Sequence, residues 1–336
     1  MKRVLLAALA LAWAFGAQAQ VGVRDLTLRA ADGRPAPARL WYPTASSNLQ
    51  PQGATRISEP WQAAPDAPPL PGAAPAPLIL LLHGTAGHRD GLGWLATALA
   101  REGAWVLAAT HPGSGPGSKP ADILRPWTQP EDARAFLDQL PAQPWAQHID
   151  PSRLAAVGYS LGGASVLQLA GARMDLQRLA PFCAQHDTGA CRYFRPAFTA
   201  LDAEWQARAA RPQHEPRLRA VVALAPGLTE TLEPSSLRAL PTPLLLVSAG
   251  QDGQLPPALH ARPLHAQLPA GTRHLEIADA GHFIFMPPMK PNACAVLAED
   301  GEEFVCWESP QMPRAQAHAL LLQELQAFLR AQGVLK

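Results

Sequence analysis

The sequence has few charged residues and almost no net charge. Only 16% of its 336 residues are Asp, Glu, Lys or Arg, and the formal net charge is +1. Proteins that bind nucleic acid usually carry a strongly basic face, so the composition gives no electrostatic basis for such a partner. Long apolar runs are scarce too, and beyond the N-terminal segment none approaches the roughly 20 residues of a membrane-spanning helix. We therefore expect no stable membrane insertion.

The N-terminal segment carries the features of a secretory signal peptide in their usual order. Residues 1–3 (MKR) are a positive start, residues 4–15 are almost entirely apolar, and residues 17–19 (AQA) match a cleavage site. We therefore expect residues 1–19 to be a signal peptide and residues 20–336 to be a single exported domain, periplasmic or secreted. A buried N-terminal helix is the alternative interpretation.

Cysteine is rare, with four residues in the chain: Cys183, Cys191, Cys294 and Cys306. An even count in an exported protein favours disulfides. Three pairings are possible, and the sequence does not choose among them. Local pairing within 183–191 and within 294–306 would close two short loops, each stabilising by about 2.5–3 kcal/mol in the chain-entropy model. A zinc site is the alternative, but neither pair has tight ligand spacing or suitably placed histidines.

Short apolar runs alternate with segments of helical spacing along most of the chain. The runs, typical of strands buried on both faces of a parallel sheet, are 78–82, 105–109, 154–158, 221–225, 244–248 and 274–277. The segments with helical spacing are 92–101, 131–140, 161–172 and 316–330. This alternation predicts one α/β domain with a mostly parallel central sheet and helices on both faces.

The remaining segments predict an edge hairpin, a surface connection and two cap-like insertions. Residues 21–43 alternate around Asp32-Gly33 as in a hairpin at the edge of a sheet. The Pro- and Ala-rich residues 63–77 predict a surface connection. The insertions lie near 176–216 and 287–312, and each contains one cysteine pair. The aromatic residues of the first insertion either contact substrate or pack it onto the core: Phe182, Tyr193, Phe194, Phe198 and Trp205.

A G-x-S-x-G motif follows one predicted buried strand and opens a helix of small residues. The motif spans 158–162 (GYSLG). Between a strand and a helix it predicts a sharp turn that exposes a nucleophilic serine at the carboxyl end of the sheet. Gly158 and Gly162 flank this turn, where larger side chains would collide with the strand or helix. Ser160 is therefore the candidate nucleophile.

A serine nucleophile needs a base, and the base needs an orienting acid. The best acid is Asp252, which follows the strand at 244–248, and the best base is His282, which follows the strand at 274–277. Both come from loops at the carboxyl ends of strands, as Ser160 does. The other acids and histidines of the C-terminal half suit these roles less well: Glu230, Asp279, His260, His265 and His274.

An acyl-transfer site also needs N–H donors for the oxyanion. The residue after the nucleophile, Leu161, and Thr85 in the loop after the first buried strand are the candidate donors. His83 in the same loop is favoured as a packing residue over a catalytic one. Phe283 and Phe285, beside the candidate base, are possible pocket residues.

Four segments of this chain together resemble a known family. They are Leu78–Ser114 (LILLLHGTAGHRDGLGWLATALAREGAWVLAATHPGS), His148–Arg153 (HIDPSR), Cys191-Arg192 and Gly281–Phe283 (GHF). This ordered set resembles the bacterial predicted dienelactone hydrolases related to platelet-activating-factor acetylhydrolases, over most of the chain. The resemblance implies an α/β-hydrolase fold and hydrolysis of a small-molecule carboxylic ester without a metal or organic cofactor. It also implies Ser160, Asp252 and His282 as the catalytic triad.

Two departures from this family leave the substrate open. Dienelactone hydrolases use a cysteine where this chain has Ser160, and the acetylhydrolase branch places its acid where this chain has 225–227 (APG). The same triad could instead cleave an amide, a peptide or an amide-linked polymer. A non-catalytic binding protein on the same fold is the other alternative. The sequence predicts neither the acyl and alcohol groups nor the oligomeric state.

Overall fold

The computed structural model describes residues 19–336. The predicted signal peptide therefore lies outside the described residues except for its last position. The described chain forms one sheet in the order β10-β9-β8-β7-β5-β6-β2-β1-β4-β3. Its strands are β1 (Gln20–Arg29), β2 (Pro35–Thr44), β3 (Gln50–Gln52), β4 (Trp61–Pro65), β5 (Ala76–Leu82), β6 (Trp105–Ala109), β7 (Ile149–Tyr159), β8 (Leu218–Leu224), β9 (Leu244–Ala249) and β10 (Arg273–Ile277).

Helices connect these strands and cover the sheet. They are α1 (Gly93–Arg101), α2 (Pro120–Ile123), α3 (Thr128–Gln139), α4 (Leu161–Leu169), α5 (Leu179–Gln185), α6 (Gly189–Phe194), α7 (Ala203–Ala209), α8 (Pro234–Arg238), α9 (Ala261–His265), α10 (Ala293–Ala298) and α11 (Arg314–Ala331). The six strands from β10 to β6 in the sheet order pair in parallel. The predicted class, an α/β fold with a mostly parallel sheet, is confirmed.

The apolar runs of the parallel strands supply two cores, one on each face of the sheet. In β5, Leu78, Leu80 and Leu82 belong to one buried cluster and Ile79 and Leu81 to the other. The first cluster includes apolar residues of α3 and α4, whereas the second includes those of α1 and α11. Because successive side chains of a strand point to opposite faces, a run without polar residues requires helices on both sides.

The hairpin of β1 and β2 does not lie at the edge of the sheet as predicted. β1 pairs with β4 in parallel, from Gly22 opposite Ala64, and β3 then pairs with β4. The predicted surface connection at 63–77 is therefore wrong in its first three residues. Trp61 and Ala63 of β4 are buried in the core, where Trp61 lies 5.4 Å from Trp41 between ring centroids. So short an Ala- and Pro-rich strand has no alternating pattern, which is why the sequence did not reveal it.

Both insertions are closed by local disulfides. Helices α5, α6 and α7 lie in the first insertion and α10 lies in the second. The bonds are Cys183–Cys191 and Cys294–Cys306, with Cα atoms 5.4 and 5.5 Å apart. The structure thus selects one of the three possible pairings, and the cysteines are not zinc ligands. Within residues 19–336, no helix combines the length and apolarity needed to cross a membrane.

Candidate active site

Ser160 occupies the sharp turn between β7 and α4. Its φ of 54° and ψ of −113° lie outside the regions that residues other than glycine usually adopt. The Ser160 amide donates to the Leu224 carbonyl and the Ser160 carbonyl accepts from the Gly227 amide, both at 2.9 Å. A Cβ at Gly158 would overlap the Gly162 carbonyl, and a Cβ at Gly162 would overlap the Leu82 carbonyl. The two glycines therefore let the strand and helix approach closely enough to hold the serine in this turn.

His282 forms hydrogen bonds with Ser160 and Asp252. Its Nε2 lies 3.1 Å from Ser160 Oγ, and its Nδ1 lies 2.7 Å from Asp252 Oδ2. The other carboxylate oxygen, Oδ1, accepts from the amides of Gln254 and Leu255 at 2.9 and 2.7 Å. His282 and Asp252 are both buried. These partners assign the proton of neutral His282 to Nδ1, which leaves Nε2 free to accept the serine proton.

The turn that carries His282 is fixed through its backbone carbonyls. The Tyr159 hydroxyl donates to the His282 carbonyl at 3.1 Å. Arg314 Nη1 donates to the carbonyl of Phe283 and, at 3.1 Å, to that of Met286. Together with His318 and Trp94, these residues hold the turn at 282–286 from three elements: β7, α1 and α11. The position of His282, the candidate base, is therefore fixed by several hydrogen bonds to its turn.

His318 on α11 and Trp94 on α1 complete this support. His318 Nε2 donates to the Ile284 carbonyl at 2.8 Å, and Trp94 Nε1 donates to the Phe285 carbonyl at 3.0 Å. The two rings stack with centroids 3.5 Å apart. Burial lowers the pKa of His318 to about 4, so the imidazole is neutral near pH 7 with its proton on Nε2.

Thr85 lies in the loop after β5, and Leu161 directly follows Ser160. Thr85 and Leu161 both line the cavity that contains Ser160. Within residues 19–336, neither amide has a hydrogen-bond acceptor. Two N–H groups without an acceptor, in residues that line the same cavity as Ser160, suit the binding of an oxyanion.

The ring of His83 forms two hydrogen bonds that fix this loop. Its Nε2 accepts from the His111 amide at 3.1 Å, and its Nδ1 donates to the Gly84 carbonyl at 2.7 Å. Burial, with a smaller contribution from His111, lowers the pKa of His83 to about 3. His83 is therefore neutral with its proton on Nδ1, in keeping with the packing role favoured from the sequence.

Gln129 on α3 links the two segments that carry the candidate oxyanion donors. Its Nε2 donates to the His83 carbonyl at 3.1 Å and to Ser114 Oγ at 3.2 Å. Its Oε1 lies 3.2 Å from Ser165 Oγ, which is 3.1 Å from the Leu161 carbonyl. Gln129 is not among the site residues predicted from the sequence. The available signal was a polar residue on the buried face of α3, at the i, i+3, i+7 spacing that it shares with Asp132 and Phe136.

The cavity above Ser160 has a volume of about 400 Å³ and mostly apolar walls. Phe283 lines it, as predicted for a pocket residue, but Phe285 does not. Phe285 is 1% exposed and packs in the core, 5.8 Å from Tyr159 between ring centroids, because the turn at 282–286 directs it inward. The aromatic residues of the first insertion divide between the two predicted roles. Tyr193 and Phe194 line the cavity, and Phe194 also belongs to the buried core cluster. The others pack against that cluster without lining the cavity: Phe182, Phe198 and Trp205.

Two cutinases are similar to this chain in sequence, and a ferulic acid esterase is similar to it in structure. Two cutinases of Thermobifida alba, est1 and est2, are each 23% identical over 210 residues, or 61% of this chain. The chain spans about half the length of these relatives, 53% and 52%. A ferulic acid esterase from Streptomyces cinnamoneus superposes with a TM-score of 0.61 at 21% identity, covering 94% of this chain and 90% of that one. At that identity the likeness shows the fold alone.

The family assignment rests on a longer match. The model of a family described as the alpha/beta hydrolase family matches residues 79–296. The match begins in β5 and ends in the second insertion. It includes the turn that carries Ser160, the loop with Asp252 and the turn with His282. It covers well over half of the chain, and the chain therefore belongs to the alpha/beta hydrolase family.

Proposed function

We propose that the protein is a serine hydrolase that cleaves carboxylic esters of small molecules through an acyl-enzyme intermediate. The observation that carries this proposal is the unbroken hydrogen-bonded series from Ser160 through His282 to Asp252 at the floor of an apolar cavity. The names of the relatives, cutinase and ferulic acid esterase, agree with ester chemistry. The resemblance to dienelactone hydrolases supports the same reaction class.

In the first half of the reaction, the serine is acylated. His282 Nε2 takes the proton from Ser160 Oγ as the oxygen attacks the ester carbonyl carbon. Asp252 stabilises the resulting imidazolium through the 2.7 Å contact with Nδ1. The amides of Thr85 and Leu161 donate to the oxyanion, where one donor typically contributes about 3–4 kcal/mol. As the carbon–oxygen bond to the alcohol breaks, His282 returns its proton to the departing oxygen.

In the second half, water replaces the alcohol. His282 Nε2 removes a proton from water as its oxygen attacks the acyl-enzyme carbonyl. The same two amides hold the second oxyanion. Its collapse breaks the bond to Ser160 Oγ, which regains a proton from His282, and the carboxylic acid leaves. The rigid support of the His282 turn favours a base that keeps its position through both halves.

Active-site labelling combined with a pair of matched substrates tests this proposal. A fluorophosphonate is expected to modify Ser160, as located by mass spectrometry, in the wild type but not in His282→Ala. His265→Ala is the control, because His265 lies outside the cavity and is exposed. An aryl ester is expected to be hydrolysed far faster than the anilide of the same acid, and Ser160→Ala is expected to lower kcat by about 10⁴-fold or more.

Two other outcomes would contradict the proposal. Equal or faster cleavage of the anilide would replace the esterase with an amidase. Absence of label on a folded sample would favour a binding protein on this fold.

We also infer that the protein is exported to the periplasm or secreted. Two disulfides among the described residues support an oxidising compartment. Cell fractionation followed by N-terminal sequencing is expected to find a mature chain that begins near residue 20. An uncleaved chain in the cytoplasm would contradict this inference.

A further inference from the structure

The cavity above Ser160 has almost no formal charge on its walls. Among residues 19–336, those that line it include no lysine or arginine, and Glu302 is the one acidic residue. Two of its histidines sit in surroundings that disfavour protonation, since burial lowers the pKa of His83 to about 3 and also lowers that of His88. The third, His282, is paired with Asp252. No fixed cation therefore faces a bound substrate.

Arg314 contacts the turn that lines the cavity, but its guanidinium group interacts with protein groups outside the cavity. Its Nε lies 2.7 Å from Glu308 Oε1, and its Nη1 donates to the carbonyls of Phe283 and Met286 behind the cavity wall. The Arg314 side chain is 5% exposed and does not line the cavity. Its charge is thus balanced by Glu308 and is not presented to a ligand.

The mouth of the cavity combines an acid with aromatic side chains from both insertions. Glu302 belongs to the second insertion and Tyr193 to the first. Both line the cavity, and burial together with the charge of Glu302 raises the pKa of Tyr193. Tyr193 and Phe304 are 37% and 48% exposed. Aromatic faces and a carboxylate attract cations, and the same carboxylate repels anions.

We propose that this site accepts uncharged and cationic esters and discriminates against esters whose acyl chain ends in a carboxylate, with Glu302 as a specificity-determining residue. The proposal rests on the esterase function proposed above and adds the charge of its substrates. A carboxylate that enters an apolar cavity loses hydration and gains no counter-charge. An ester with an apolar end loses nothing comparable, and a cationic end gains contacts with Glu302 and the aromatic rings.

Three p-nitrophenyl esters with the same four-methylene chain test this charge order. They end in an isopropyl group, a carboxylate or a trimethylammonium group. The first two match in length and in the number of heavy atoms, and the third is larger by one methyl group. In the wild type, kcat/KM for the carboxylate ester is expected to be about 100-fold below that for the isopropyl ester. The trimethylammonium ester is expected within about 10-fold of the isopropyl ester. Equal values for the carboxylate and isopropyl esters would overturn the proposal.

Charge reversal at Glu302 identifies the residue responsible. Glu302→Lys is expected to raise the kcat/KM ratio of carboxylate to isopropyl ester by about 10-fold or more. Glu303→Lys is the matched control, because Glu303 is adjacent and exposed but does not line the cavity. An equal shift in both variants would assign the effect to general surface charge and overturn the role of Glu302.

A binding measurement separates failure of this proposal from failure of the esterase function. The anilides of the same three acids are titrated against Ser160→Ala, which requires no chemistry. The isopropyl and trimethylammonium anilides are expected to bind more tightly than the carboxylate anilide. This order without any ester hydrolysis by the wild type would overturn the esterase function alone. Ester hydrolysis without this order in either assay would overturn the charge selectivity alone.

Discussion

The two disulfide-closed insertions look alike in sequence but differ in how deeply they are buried. Their cysteines are separated by 8 and 12 residues, and each insertion contributes residues to the cavity wall. Cys183 and Cys191 are 5% and 1% exposed. Cys294 is exposed and Cys306 partly so. Similar cysteine spacing therefore accompanies two different kinds of structure.

The difference follows from what each insertion packs against. The first places Phe194, Ala197 and Ala209 in the same buried cluster as α3 and α4. The second insertion forms polar contacts with segment 55–59: Glu59 N to Pro288 O at 2.8 Å, Lys290 N to Ile57 O at 2.9 Å and Lys290 Nζ to Thr55 O at 2.6 Å. The first insertion is thus an extension of the core, whereas the buried apolar residues of the second, Ala293, Leu297 and Val305, belong to neither core cluster.

Removal of the first disulfide, compared with removal of the second, gives the largest expected effect. Cys183→Ala with Cys191→Ala is expected to lower the free energy of unfolding by about 4 kcal/mol, because it removes a cross-link and buried sulfur atoms. Cys294→Ala with Cys306→Ala is expected to cost about 2 kcal/mol or less, because an exposed loop can loosen without the core. Urea unfolding without reductant measures both.

Loop length alone gives the opposite order for the two disulfides. The chain-entropy model assigns about 2.5 kcal/mol to the shorter loop and about 2.8 kcal/mol to the longer one. An equal or greater loss for the second pair would therefore mean that burial does not distinguish the insertions.

A phenylalanine from each insertion tests the same contrast without touching the cysteines. Phe194 is 5% exposed and Phe304 is 48% exposed, although both line the cavity. Phe194→Ala is expected to lower the free energy of unfolding by about 3 kcal/mol, and Phe304→Ala by less than about 0.5 kcal/mol. Thermal and urea unfolding of the two variants check this. Similar losses would show that the second insertion is packed as tightly as the first.

Local patterns were sufficient to predict the central fold and the arrangement of the candidate triad. An uninterrupted apolar run such as Leu78–Leu82 has few options besides a strand covered on both faces. Gly158 and Gly162 flank Ser160 because a side chain at either position would collide with nearby backbone, which is a local property of the turn. Chain order then placed Asp252 and His282 after successive strands, and parallel strands bring such loops to one edge of the sheet.

Features that depend on distant contacts could not be predicted in this way. β4 is defined by its pairing with β1 and by the packing of Trp61 on Trp41, which leave no pattern in five residues. The direction of Phe285 depends on the carbonyl contacts of a turn. The burial of each disulfide depends on neighbours far along the chain, and cysteine spacing contains no information about them.

Mild acid is expected to act through two histidines that support the site. His83 and His318 have pKa values of about 3 and about 4 in the folded protein, against about 6.5 when unfolded. The unfolded chain therefore binds more protons below pH 6.5, so stability falls as the pH falls. The expected loss is about 2 kcal/mol per histidine between pH 6.5 and pH 5.

The free energy of unfolding in urea at several pH values measures this slope. His318→Gln is expected to flatten it by about one proton, while both double-alanine variants keep the wild-type slope because neither histidine lies in an insertion. A slope that changes with the disulfides instead would place the titrating groups in the insertions.

The smallest expected effect is that of removing the second disulfide on catalysis, where KM and kcat separate substrate binding from the chemical step. Its disulfide closes the loop that carries Leu297, Phe304 and Val305 into the cavity. Cys294→Ala with Cys306→Ala is expected to raise KM for an uncharged ester by about 3–10-fold and to leave kcat within about 2-fold, because a looser wall must be ordered when substrate binds. Mild reductant should reproduce this in the wild type, since the second disulfide is exposed and the first is buried. The double variant should not respond further. A fall in kcat with unchanged KM would instead place this loop in the support of the reacting groups, and the contrast between the insertions would then concern chemistry as well as packing.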